Sequence, residues 1–431
     1  MRLAWFLPQY CEFAQSFLTD FRDHLHSTAF ADLARSPDHP NAFTRARKLP
    51  LPTLLAALLS FRGGSVHSEL DAFFASLGAH GGGVSVSDRA LAKARSKLHV
   101  PALWTLNDRL IDAVEHQGPM HLFKGRRLVC ADGTLLAPAQ RACLRTRSLA
   151  APVQRALGLY LPGHDLMLHV AVGTEAEGER QMLFDQLDRL RRGDVLILDR
   201  GYPASWLLQA LAQRGIDFVI RCDSSQGWGA ARDFLRSAQS QRWSWLAPSD
   251  AQQARTWELD GPACMLARLV RHVSSSGRTR ILVTSLSEDV ATLAELATLY
   301  HGRWRIEEAF KRLKHRLGLE SVSGLSQHAL LVDVATKVLA DNLAALLNRA
   351  VPTPSDSPEG VSRQVNRAAA SKLLSRCIGS MLLAADGLLE LVHAWGLTLS
   401  RRLTRHIPGR SRPRNHAHSK PHPSQAYKRA A

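Results

Sequence analysis

Residues 126–134 read RRLVCADGT and residues 194–202 read DVLILDRGY, two short apolar runs that each close on an aspartate with a glycine just behind it. Such runs, bounded by turn residues, read as buried strands. A carboxylate at the end of a buried strand is held rigidly while its head meets solvent or a ligand. Two such strands side by side bring Asp132 and Asp199 together, where like charges repel unless a cation lies between them. Mg²⁺ takes hard oxygen ligands from few residues and leaves positions for phosphate and water. For either aspartate alone, Asp-Gly behind a strand is also ordinary turn chemistry.

Working outward, residues 165–172 read as another strand, 179–192 and 203–213 as helices, and 216–222 as a strand. Residues 119–222 therefore form the first part of an α/β core with helices packed on a sheet. Residues 223–287 are polar, hold four of the nine tryptophans (Trp228, Trp243, Trp245, Trp257) and read as a β-rich insertion. Residues 288–400 are helical, broken by the Pro/Ser loop at 351–360. The 329–347 stretch contains Asp333, Lys337 and Asp341, so it reads as a packed amphipathic helix and not a membrane span.

Residues 1–118 read as a helical N-terminal domain punctuated by Gly81-Gly82-Gly83. Ser87 or Asp88 caps a helix that sets Arg89, Lys93 and Lys97 at i, i+4 and i+8, one basic stripe. A short helical unit ending in a basic helix suits helix-turn-helix-like DNA binding, and a merely solvated face fits the same spacing. Residues 401–431 carry nine Lys/Arg, four prolines and no acid, and read as a disordered basic tail able to hold phosphates.

The whole chain has 431 residues, a formal charge of +17 and a pI near 10.2, which point to a polyanionic partner, nucleic acid first. Its six scattered cysteines form no C-x-x-C pair and suit a reducing cytosol. The N-terminal apolar stretch, interrupted by Pro8 and Glu12, is too short for a signal peptide. A soluble, cytoplasmic, DNA-binding protein without a membrane partner is the class these features indicate.

The third acidic position lies in YHGRWRIEEAFKRLKHRLG, residues 300–318. Tyr300, Arg303, Glu307, Lys311 and Lys314 step by three, four, four and three, which places them on one helix face about 80° wide. Ile306, Phe310, Leu313 and Leu317 form an apolar stripe about a quarter turn away. One face can be buried while a carboxylate, an arginine and two lysines face the same cleft; an ion-pair network along the helix edge is the plainer alternative. Glu308 lies about 100° further round than Glu307.

The pattern Tyr300-x2-Arg303-x3-Glu307-x6-Lys314 resembles the Y-(2)-R-(3)-E-(6)-K signature of insertion-sequence transposases of the IS-four family. ADGT at 131–134 resembles that family's first-aspartate motif, and LDRGY at 198–202 its second. Asp199 follows Asp132 by 67 residues and Glu307 follows Asp199 by 108, the longer gap suiting the family's β-strand insertion. The resemblance covers about 85–325. It implies an RNase-H-like mixed sheet flanked by helices, with two Mg²⁺ (or Mn²⁺) ions held by Asp132, Asp199 and Glu307. It also implies DNA phosphate contacts from Arg303 and Lys314, with Tyr300 adding a hydroxyl; Lys311 is added here from its place on the same face. Double-stranded DNA is the implied partner, as terminal inverted repeats and as target, with a dimer in the synaptic complex. At the position where members that cut through a DNA hairpin carry a tryptophan, this chain has Arg280.

Other candidates carry less. Cys130 reads as core. The histidines of the tail read as solvated, and Asp185, Asp188 and Asp194, lying among arginines, as exposed ion pairs. The function these readings support is DNA strand cleavage and transfer. An RNase-H-fold nuclease or resolvase without strand transfer, and a non-catalytic DNA-binding remnant or repressor, are its rivals.

Overall fold

The computed structural model describes residues 7–45, 48–78, 85–117, 122–137, 153–222, 228–247, 264–273, 277, 279–324, 326–353, 362–384 and 386–406. Gly81-Gly82-Gly83, Cys143, Trp257, the loop at 354–360 and the tail beyond residue 406 lie outside them. The chain divides into two compact units, one of Met1–Gly118, Ala137–Pro152 and Lys311–Ala431, the other of Pro119–Leu136 and Val153–Phe310.

The first unit begins with α1 (Leu7–His26), α2 (Thr28–Leu33), α3 (Leu51–Ser60), α4 (Val66–Ser76), α5 (Asp88–Arg95) and α6 (Val100–Gln117). Helix α3 starts behind Pro50, with a second proline in its first turn where no N–H is missed, and is buried along nearly its whole length. Ser87 caps α5, its side chain accepting from the Ala90 N–H.

The second unit is built on one eight-stranded sheet, with spatial order β3-β2-β1-β4-β5-β8-β7-β6. Its elements run β1 (Leu128–Leu136), β2 (Gln154–Leu161), β3 (Leu166–Thr174), α7 (Glu179–Phe184), β4 (Val195–Leu198), α8 (Ser205–Gln213), β5 (Asp217–Cys222), α9 (Gly229–Arg236), β6 (Gln241–Leu246), β7 (Met265–Val273), β8 (Thr279–Thr284), α10 (Leu293–Gly302) and α11 (Trp304–His315). Strands β1, β2 and β3 form an antiparallel meander, whereas β4 and β5 run parallel to β1. That order and those senses are the RNase-H-like arrangement. The 223–287 segment continues the same sheet through β8, β7 and β6. Strand β4, enclosed between β1 and β5, is an unbroken VLIL run with every residue buried, as a central parallel strand requires.

Three expectations change here. Asp132 does not end its strand: β1 continues to Leu136, because beyond Cys130 it leaves β4 and goes on pairing with β2 alone. Asp194 is not exposed. It is buried and accepts from Arg127 Nε at 2.9 Å and Nη2 at 2.7 Å, a two-pronged pair that ties β1 to the start of β4. The 300–318 stretch is not one helix. The ladder breaks at Arg303, which keeps helical angles but separates α10 from α11 just after Gly302, a weak helix former.

The division between the units falls within α11, and the first unit resumes with α12 (Gln327–Leu347), β9 (Ser362–Val365), α13 (Arg367–Leu383), α14 (Leu388–Ser400) and β10 (Leu403–His406). Helix α12 is not amphipathic as expected: apart from Leu331, residues 329–347 are all buried, and it packs against α3, α6 and α13. Its charged residues tolerate this because each is paired, Asp341 with Arg312 at 3.1 Å and Lys337 Nζ with the Gly318 carbonyl at 2.6 Å. Residues 403–406, expected in the disordered tail, pair instead with β9, in register from Leu403↔Val365 to His406↔Ser362. Among the described residues no helix is long and apolar enough to cross a membrane.

Candidate active site

Strand register places the two aspartates. Cys130 of β1 lies beside Ile197 of β4, the last parallel pair. Two residues further along the chain come Asp132, still in β1, and Asp199, just past the end of β4, where the strands part. Backbone amides orient both heads: Gly133 N–H donates to Asp132 Oδ1 at 3.1 Å, and Gly201 N–H to Asp199 Oδ1 at 2.6 Å.

Helix α11 is seated by an absence. Gly158 of β2 is the partner of Asp132 across the ladder. A Cβ there would stand 2.7 Å from the Phe310 ring, so only glycine lets the helix come this close to the sheet. Ile306 and Phe310 are buried, and Glu307, half-buried, faces the aspartates.

Arg303, at the joint between α10 and α11, closes the group. Its Nη1 lies 2.9 Å from Asp132 Oδ2 and its Nη2 2.8 Å from Glu307 Oε1, so one guanidinium spans two of the three carboxylates. Burial opposes its charge, but Asp132, Tyr300, Asp199 and Glu307 together hold it firmly protonated. Asp132 is pushed up to about 6 by burial and by its neighbours Asp199 and Glu307, against the pull of Arg303. Three acids around one cation leave a site short of positive charge. Three carboxylates are also the hard oxygen set a Mg²⁺-sized cation takes. Arg303 Nε is buried without a hydrogen-bond partner among the described residues. As the side chains stand, no three His, Cys, Asp or Glu among the described residues are placed to hold a metal ion. The donors fit in kind; their convergence on a cation requires Arg303 to yield Asp132 and Glu307.

A supporting set behind the aspartates escaped the sequence reading. Glu179, first residue of α7, accepts from Arg155 Nη1 at 2.6 Å and from the Tyr202 hydroxyl at 3.2 Å. Its carboxylate lies 2.4 Å from where a Cβ on Gly133 would stand, so Gly133 serves close approach as well as turn geometry. Tyr202 is fully buried; burial first, then Glu179, Asp132 and Asp199, hold its phenol well above the usual range. Glu179 thus links β2 to the loop after β4. Arg155 and Glu179 offered no motif, and Tyr202 stood only as the last residue of the LDRGY motif.

Tyr300 is buried and its phenol hydrogen-bonds with Arg221. Lys314 pairs with Glu320 at 3.6 Å, and Lys311 is exposed on the same helix. Glu308 is exposed. Arg89 and Lys93 are exposed on α5, and Lys97 follows its C-cap, Ser96. Burial pushes the Cys130 thiol up to about 12, which fits core and not a nucleophile. Trp243 and Trp245 are exposed on β6, and Trp228 is buried with its indole N–H on Ser205 Oγ at 2.7 Å.

Compared with known proteins, no curated protein sequence matches the chain. Among solved structures it is similar to the piggyBac transposase in a cryo-EM synaptic complex with hairpin DNA. The identity is 14%, 95% of this chain and 88% of that chain are covered, and the TM-score is 0.42. The family described as "Transposase DDE domain" matches residues 125–343, just over half of the chain, and spans Asp132, Asp199 and Glu307. The chain belongs to the DDE transposase family.

Proposed function

We propose that this transposase cleaves DNA strands at the ends of its own element and joins them to target DNA, in the manner of the IS-four insertion-sequence enzymes. The observation that carries the reading is the parallel pairing of β1 and β4 up to Cys130 and Ile197, each two residues before an aspartate, with Arg303 bridging Asp132 and Glu307. Asp132, Asp199 and Glu307 are the residues to hold two Mg²⁺ or Mn²⁺ ions. Such ions supply Lewis-acid charge at the attacking and leaving oxygens of an in-line displacement.

The chain's own side chains do the rest. Arg303, set free from Asp132 and Glu307, offers a two-pronged guanidinium to a DNA phosphate. Lys311 and Lys314 add charge along α11, Tyr300 steadies the joint before Arg303, and Arg89, Lys93 and Lys97 hold DNA at a second place. Two protomers bring two element ends together, and the enzyme works in the cytoplasm on nucleoid DNA.

Purified protein incubated with DNA carrying the terminal inverted repeats should nick it and join it to a second duplex only when Mg²⁺ or Mn²⁺ is present. Asp132→Ala should slow the reaction at least about a thousandfold, the loss of several kcal/mol of charge stabilisation. No nicking in either metal, or undiminished activity in Asp132→Ala, would overturn the reading. Cleaved ends that never join would reduce it to a nuclease.

A further inference from the structure

Outside the carboxylate site, the first unit contains a cavity of about 870 Å³ between the segment leading into α3 and the face of α5. Arg45, Lys48, Lys93 and Lys97 line it, and among the described residues no carboxylate does. None of the four has a charged partner among the described residues. Cations gathered around a hollow repel one another and gain from a polyanion entering it. The other residues of α5 that line it are Ala90 and Ala94, one turn apart, so small side chains leave the hollow open. Phe43 also lines it, half-buried, with φ at 61°. A bulky residue in the left-handed region costs energy, and the surrounding fold holds it there beside the cations.

The walls are thus part cationic and part aromatic or aliphatic. A duplex is too thick to enter a hollow of this size and meets it only as a row of phosphates across the mouth. An unpaired strand fits differently: its phosphates meet the cations, and a base stacks on the ring, the usual combination for single-stranded nucleic acid. We propose that this cavity binds a single-stranded DNA segment of a few nucleotides, with Phe43 as stacking platform and Arg45, Lys48, Lys93 and Lys97 as phosphate contacts. The proposal rests on the reading of the chain as an enzyme that cleaves DNA strands, since cleavage frees such a segment at an element end.

The test is fluorescence anisotropy of a labelled six-residue oligothymidylate with the full chain. Binding should weaken with salt along a log–log slope of about −3, the value for four phosphates on a single strand. Phe43→Leu should weaken it about tenfold, and Lys93→Ala with Lys97→Ala by at least that. The two lysines lie at the surface, so the double variant keeps the fold even where Phe43→Leu disturbs it. A blunt duplex of the same length and free thymidine triphosphate should both compete poorly. Undiminished binding in the double lysine variant overturns the proposal. Equal competition by the duplex reassigns the cations to duplex backbone, and tighter binding of the triphosphate reassigns the cavity to a free nucleotide; either overturns it. Asp132→Ala should bind the oligothymidylate like the parent chain, so loss of cleavage chemistry and loss of this site are read separately.

Discussion

Buried charge is handled in opposite ways in the helical unit and at the carboxylate site of the sheet unit. In the helical unit the buried ions of α12 each meet a partner: Asp341 takes Arg312, Lys337 takes the Gly318 carbonyl, and Asp333 accepts from the Ser323 N–H at 2.5 Å and its hydroxyl at 2.7 Å. At the site in the sheet unit three carboxylates crowd one guanidinium, and Asp132 is driven up to about 6 by burial first and then by Asp199 and Glu307, against the pull of Arg303. A satisfied network fixes a packing arrangement. A network short of positive charge has a place for something that supplies it, the usual mark of a site and not a scaffold.

The sharpest way to break this contrast is to neutralise one acid in each unit and compare signs. Asp341→Ala takes from the half-buried Arg312 guanidinium its carboxylate partner and should cost on the order of 3 kcal/mol in denaturant unfolding. Asp341→Leu with Arg312→Met should recover most of that, because an apolar pair of similar volume carries no stranded charge. Asp132→Asn should go the other way at pH 7. A carboxyl whose folded pKa is raised makes its ionised form unfavourable in the fold, so neutralising it should stabilise by on the order of 1 kcal/mol while ending metal-dependent chemistry. Equal destabilisation at both positions would mean that the site acids are structural.

How much of this was legible in the sequence follows from the range of the contacts. Asp132, Asp199 and Glu307 stand out because an acid behind an apolar run, or at fixed spacing on a helix face, leaves a local trace. Strand β2 escaped notice: its residues are buried on both faces, so QRALGLYL lacks the two-residue alternation of a half-exposed strand. With it went Gly158 and the seat of α11. Asp194 read as exposed because its partner, Arg127, lies 67 residues earlier, and the charges of α12 suggested an outer face because Arg312 and Gly318 lie outside that helix. Glu179, Arg155 and Tyr202 meet only in three dimensions.

If crowded acids belong to the site alone, an ordinary titratable group buried elsewhere in the sheet unit should be held neutral, and His169 of β3 tests that. Burial, aided by Arg189, lowers it from 6.5 to about 3. Between those values the unfolded chain takes up a proton that the folded chain refuses. Stability is therefore lost as pH falls from about 6.5 toward 3, by up to about 1.4 kcal/mol per pH unit. His169→Gln should remove that slope from a stability–pH profile. Parallel profiles for the two proteins would show that His169 is protonated within the fold.

The smallest effect lies where the two kinds of network touch. Tyr202 is buried like a scaffold residue, yet its hydroxyl serves Glu179, and its N–H lies 3.4 Å from the carbonyl of Asp199. Tyr202→Phe keeps the ring and its packing and removes one hydrogen bond, a loss of about 1 kcal/mol. Were the bond only structural, that loss would appear wholly in thermal stability and the metal requirement would stay put. Because the bond anchors the loop that carries Asp199, the same variant should need several-fold more Mg²⁺ for half-maximal nicking, beyond a fall of a few degrees in melting temperature. Glu179→Gln, which still accepts from the phenol, should fall between the two. A lower melting temperature with an unchanged Mg²⁺ requirement would place Tyr202 with the satisfied network of the helical unit.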